Sequence, residues 1–261
     1  MLLRFYTPLQ QILQPTGQAI DIVDPTRAPL DQYKLLVAPS LNVISSELAA
    51  KLVAYVKAGG HLLLGPRSGM KDEYNALNPQ RQPGPLADAL GGRVEQYYAL
   101  DKPAALAPQQ SAVPSASADI WAEALSPSSP DTKVVLRYND KTGWLADHPA
   151  MITRQLGTGS ISYLGTLPDA TLMHALLTSA AHQAHVETAA TELPPGVELC
   201  ERTSGARHVF ILINHNQTAN TVTLKGSYED LLPGASLAVA QSTTRISLPP
   251  QGIAILTPRT P

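Results

Sequence analysis

The chain has 261 residues, enough for two domains with cores of their own. Apolar residues make up 44%, charged residues 15% and the formal net charge is −2, a globular balance with no basic stretch to suit nucleic acid or an anionic membrane. The longest apolar runs, HLLLG and VFILI, are too short to span a bilayer, and the single cysteine, Cys200, excludes a disulfide framework and a multi-cysteine metal site.

The first ninety residues alternate strands and helices. LLRFY (2–6) reads as a strand, 7–14 as a brief helix stopping before Pro15, and AIDIVD (19–24) as a strand ending at Pro25. The N-terminus lacks an apolar segment with a small-residue cleavage site, which together with the lone cysteine fits the cytoplasm. YKLLVAPS (33–40) is continuously apolar, as expected of a strand covered on both faces of a parallel sheet. A helix follows: Ser45 can cap it, and Glu47 sits in the first turn, where the dipole favours an anion. Leu48, Leu52, Tyr55 and Val56 share one face, and Gly59 suits the left-handed position after the last turn. HLLLG (61–65) is the next strand, and this alternation predicts a doubly wound α/β sheet, mostly parallel.

Further along, KPAALAPQQSAVPSASA (102–118) has little to bury and is expected to be an exposed loop. VVLRYND (134–140) and MITRQLGTGSISYLGTLPD (151–169) supply more strands, with GTGS as a hairpin turn because no helix opens after it, as a phosphate loop would require. A helix is predicted over 171–186 and a linker at TELPPG (191–196). Beyond it RHVFILIN (207–214), TVTLKG (221–226) and TRISLPPQGIAILTP (244–258) predict a small antiparallel β-domain. The domain division is thus 1–190 and 197–261.

Chemistry is sparse. The turn after HLLLG, GPRSGMKDEYN, lies where open α/β sheets place their binding loops, and it gathers Arg67, Ser68, Lys71, Asp72, Glu73 and Asn75. A nucleophile elbow would sit there, but Gly65 or Pro66 fills the expected place, and Ser68 is outside the G-x-S-x-G pattern. These six residues are binding or interface candidates, and no catalytic residue is assigned. His174, His182 and His185 share the predicted helix, yet His174 and His182 stand about 12 Å apart along its axis and cannot ligate one ion. No metal or cofactor is expected. Asn216-Gln217-Thr218 matches a glycosylation acceptor, relevant only in a secretory context, and Cys200 reads as a passive residue beside a strand.

Five stretches carry a resemblance: FYTPL, AIDIVDPTRAPLDQYKLLVAPSLNVIS, LVAYVKAGGHLLLGPRSGMKDEYN, PGPLADALGGRVEQYYAL and MITRQLGTGSISYLGTLPD. They resemble the trimerisation domain of glycoside hydrolase family 42 β-galactosidases, which has a glutamine-amidotransferase-like, flavodoxin-like fold. VELCERTSGARHVFILINHNQTANTVTLKG with LPPQGIAILTP is similar to the small C-terminal β-domain of the same enzymes. The resemblance implies a fold that has lost its nucleophile and serves assembly. It also implies that the catalytic glutamates belong to a (β/α)₈ barrel outside this sequence, so none carries over. Self-association as a trimer, or union with such a barrel, follows as the expected partnership, with a galactoside nearby. Two rival readings are a divergent amidotransferase-like hydrolase using Ser68 and a galactoside-binding module.

Overall fold

The computed structural model describes residues 20–109, 116–139, 143–186, 190–232, 236–240 and 242–259. The expected strand at 2–6 and helix at 7–14 lie outside the described residues. The described residues fall into two compact units, one of Val23–His185 and one of 20–22 with Val186 onward.

The first unit runs, in chain order, through β1 (Leu35–Ala38), α1 (Ser46–Lys57), β2 (His61–Leu64), the single turn α2 (Ala87–Leu90), β3 (Gly92–Ala99), β4 (Ala104–Pro108), β5 (Ala116–Pro127), β6 (Lys133–Tyr138), β7 (Pro149–Leu156), β8 (Gly159–Leu164), β9 (Thr166–Pro168) and α3 (Ala170–Gln183). One mixed sheet holds its strands in the order β1-β2-β8-β7-β6-β4-β5-β3, with β9 on β5. Among the described strands only β1–β2 and β2–β8 pair in parallel. From β8 outward the pairing is antiparallel. The expected doubly wound, mostly parallel sheet is therefore corrected to a mixed sheet with few helices. Parallel neighbours need long crossovers, whereas the connections after β6 and β7 lead straight into an antiparallel neighbour.

At the parallel edge both faces are covered, and side-chain alternation explains how. Leu62 and Leu64 of β2, with Ile161 and Tyr163 of β8, join Leu48, Leu52, Tyr55 and Val56 of α1 in one buried cluster. Their neighbours His61, Leu63, Ser160 and Ser162 point the other way and line a small cavity under Leu176, Ser179 and Ala180 of α3. There His61 Nδ1 lies 2.8 Å from Ser160 Oγ, and burial lowers the imidazole pKa.

Local signals place α1 as expected. Ser45 Oγ accepts from the Leu48 N–H at 3.1 Å, and Lys57 lies in the last turn. Gly59 has φ 115° where the helix ends. Lys51 Nζ reaches back to the carbonyls of Pro25, Thr26 and Ala28 and ties the preceding turn to the helix. For α3 the cap is Asp169, whose Oδ1 accepts from Leu172 N–H at 3.0 Å.

Two expectations fail here. Residues 20–24, the described part of AIDIVD, form no strand. The stretch 102–118, expected to be a loop, supplies β4 and the start of β5 on either side of the undescribed 110–115. Ala and Pro are poor strand formers, yet small side chains suit close packing: Leu106 and Ala118 are buried, and Pro108 stands at the end of its strand. GTGS behaves as expected, Gly157 (φ 67°) and Thr158 turning β7 into β8.

The second unit contains β10 (Ala190–Glu192), β11 (Val197–Ser204), β12 (Arg207–Asn214), β13 (Asn220–Lys225), β14 (Tyr228–Asp230), β15 (Ser236–Ala240), β16 (Thr243–Leu248) and β17 (Ile253–Pro258). They form two antiparallel sheets, β10-β13-β16-β15 and β11-β12-β17-β14. Val197, Leu199, Phe210, Leu212, Leu256 of one sheet and Val222, Leu224, Ile246, Leu248 of the other share one buried cluster.

Candidate functional site

The chain leaves β2 through Gly65-Pro66-Arg67-Ser68-Gly69. Arg67 has φ 66° and Gly69 φ 68°. A Cβ on Gly69 would lie 2.1 Å from the Pro83 carbonyl oxygen, so this position requires glycine on both counts. Arg67 has no such excuse: a long side chain in the left-handed region costs about 1–2 kcal/mol. This is the strained strand-to-loop position that a nucleophile occupies in an elbow. The sequence reading put Gly65 or Pro66 there, and the structure puts Arg67 there, in a G-x-R-x-G frame.

The elbow is held from below by a carboxyl group. Glu123 of β5 is fully buried, and its Oε1 accepts from the Arg67 N–H and from Trp121 Nε1–H, both at 2.9 Å. Its Oε2 accepts from the Tyr163 hydroxyl at 2.7 Å. On the other side Asn42 Nδ2 donates to the Arg67 carbonyl at 3.0 Å. Burial pushes the Glu123 carboxyl up to about 7, against the pull of its hydrogen bonds and of the Arg67 charge. The Tyr163 hydroxyl is raised as well, by burial first and then by Glu123. A carboxyl titrating near neutrality could serve as a general acid. Here both oxygens are engaged and none of the side chain reaches the surface, so it fixes the elbow.

Ser68 is also buried. Its Oγ donates to the Gly65 carbonyl at 2.8 Å and accepts from the Leu41 N–H at 3.1 Å. Among the described residues no histidine or carboxylate bonds to it. The hydroxyl closes a turn and lacks a base to activate it.

The remaining loop residues bond mainly to one another. Lys71 Nζ donates to Asn75 Oδ1 at 2.8 Å, and Asn75 takes φ 64°. Asp72 Oδ1 accepts from the Tyr74 and Ala76 N–H groups, an Asx turn at the loop's base. Glu73 is exposed, and Tyr74 beside it is 84% exposed. Arg67 therefore stands apart from Lys71, Asp72, Glu73 and Asn75. Its guanidinium lies 5.3 Å over the Trp121 ring, which stacks on Tyr97 at 5.5 Å. Trp121 and Glu123 were missed in the sequence, where the only signal was a Trp-x-Glu alternation inside a run of small residues.

His174 and His182 lie exposed on α3, and His185 falls past its end with φ 50°. Among the described residues no three or more His, Cys, Asp or Glu side chains cluster as metal ligands, and no helix is long and apolar enough to cross a membrane.

The structure thus combines a mixed sheet with a parallel edge, an elbow whose strained residue is an arginine, and a separate antiparallel β-unit. A profile of the β-galactosidase trimerisation domain matches residues 3–187. The chain belongs to this family, that of the glycoside hydrolase family 42 β-galactosidases. Among curated relatives, the β-galactosidase Bga of Halorubrum lacusprofundi is 34% identical over 193 residues, covering 70% of this chain and 27% of its own length. The β-galactosidase LacZ of Heyndrickxia coagulans is 29% identical over 249 residues, covering 95% of this chain and 36% of its own. The crystal structure of the Bacillus circulans sp. alkalophilus β-galactosidase superposes with a TM-score of 0.84 at 21% identity, over 99% of this chain and 38% of that one. The Halorubrum lacusprofundi enzyme does so at 0.74 and 30% identity, over 97% and 35%. This chain thus spans about a third of the length of the relatives it matches.

Proposed function

We propose that this chain serves assembly within a family 42 β-galactosidase and is not itself the seat of glycoside hydrolysis. The observation that carries the reading is the elbow: Arg67 holds the strained position a nucleophile would need, and Ser68 Oγ is spent on two backbone partners. The parallel β1-β2-β8 edge with its elbow supports descent from an amidotransferase-like fold whose reactive residue has been replaced. The loop Arg67–Asn75, with Lys71, Asp72 and Glu73 presented and Ser68 buried beneath as its support, is then a subunit-contact element, in a trimer or against a catalytic barrel, beside the site where a galactoside is cleaved in the cytoplasm. The unit from Val186 onward is an accessory β-domain. A turnover assay of the 261-residue polypeptide alone with nitrophenyl β-galactoside tests the non-catalytic half. The expected rate is that of the buffer. Hydrolysis that persists through purification and disappears in Ser68→Ala would overturn it.

A further inference from the structure

The Arg67 side chain is held in place, and among the described residues its guanidinium makes no ion pair, although its charge acts on the buried Glu123 carboxyl. Its backbone N–H and carbonyl are both bonded, its guanidinium lies over Trp121, and its Nε is buried with no hydrogen-bond partner. Three other arginines of this unit answer their charge locally: Arg81 and Arg93 face Glu95, and Arg154 faces Asp131. The Glu123 carboxyl is already committed to the Arg67 backbone N–H, the Trp121 indole and the Tyr163 hydroxyl. A planar guanidinium has donors in a fork that matches a carboxylate, and stacking on an aromatic ring fixes that fork in space.

The surroundings are those of a protein contact. Ile120, next to Trp121, also has φ 66°, a rare state for a β-branched residue, at the irregularity where β5 meets β9. It is 51% exposed, and Tyr97, on the sheet face it shares with Trp121, is 38% exposed. Two side chains are thus presented from disfavoured backbone around an Arg-Trp-Tyr stack, the composition of interface anchors. A lone exposed carboxylate–arginine pair is weak, so a free small anion gains little here, whereas a carboxylate arriving with apolar surface around it gains more.

We propose that Arg67, stacked on Trp121 beside Tyr97 and Ile120, is the anchor that receives an aspartate or glutamate side chain from a second copy of this polypeptide. The proposal rests on the assembly reading above and names the chemistry of its contact.

The test is sedimentation equilibrium of the full polypeptide, wild type against Arg67→Gly and Arg67→Lys, in 0.1 M and 1 M NaCl and with sodium acetate replacing chloride. Glycine relaxes the positive φ, so Arg67→Gly is expected to keep the wild-type melting midpoint or exceed it. Its association is expected to be about 30-fold weaker, and lysine, lacking the fork, to restore only part of the loss. Acetate should weaken wild-type association more than equal chloride and leave Arg67→Gly unaffected. Both variants assembling as the wild type does overturns the anchor alone. Acetate binding to the wild type below about 1 mM by calorimetry, with association untouched, overturns it in favour of a small-anion site. A wild type that stays monomeric throughout overturns the assembly reading and the anchor together.

Discussion

Replacing Glu123 by glutamine tests the elbow's support most sharply. The folded chain holds the Glu123 proton up to a pH of about 7, whereas the unfolded chain releases it near 4.5, because burial disfavours the carboxylate. Between those values the folded state binds more protons, so stability falls as pH rises. The contribution is fully present below about 4.5 and lost by about 7. The separation corresponds to about 3 kcal/mol across the window. Glutamine has the same shape and no titration, and its Oε1 can still accept from the Arg67 and Trp121 N–H groups. It does place an NH₂ against the Tyr163 hydroxyl, a constant offset independent of pH. Urea unfolding followed by tryptophan fluorescence, from pH 4 to 8, measures the difference. Both tryptophans, Trp121 and Trp144, lie in the first unit, so the signal reports its unfolding. The stability of Glu123→Gln relative to wild type should rise by about 3 kcal/mol between pH 4.5 and 7. Parallel profiles for the two proteins would refute the account of Glu123 as a buried carboxyl that charges near neutrality.

Two further substitutions probe the elbow's backbone. Ser68→Ala deletes a buried hydroxyl with two backbone partners and should cost about 1–3 kcal/mol in chemical denaturation without changing the mass of any assembly the chain forms. A drop in assembly at unchanged stability would assign Ser68 to the contact instead. Gly69→Ala forces a Cβ onto the Pro83 carbonyl at φ 68° and should cost about 2 kcal/mol or more, read as a lowered melting midpoint. A neutral effect would mean that the elbow relaxes freely.

How much of this was legible in the sequence depended on whether the signal was local. Capping by Ser45, the buried stripe Leu48-Leu52-Tyr55-Val56 and the hairpin turn at Gly157 are set by neighbours a few residues away, and all appear in place. The sheet's direction was not local. The apolar run at Leu35–Ala38 fits a parallel strand, but nothing in VVLRY or MITRQL says that β6 and β7 run against their neighbours. The strands β4 and β5 were hidden because Ala, Ser and Pro carry no strand propensity, and their state is decided by pairing partners far along the chain. At the site, the glycines and the turn pointed to an elbow in the right place. The residue on its strained position did not show, since the groups that hold the Arg67 backbone include Glu123, 56 residues later. The six loop candidates were read as one polar group, whereas the structure pairs Lys71 with Asn75 and turns Arg67 toward Trp121.

These residues are there to bring chains together. Light scattering on the purified polypeptide across a hundredfold range of concentration gives its mass directly. A mass of three times 27.8 kDa, falling toward one only on dilution, is the predicted result. A mass of 27.8 kDa at every concentration would contradict it.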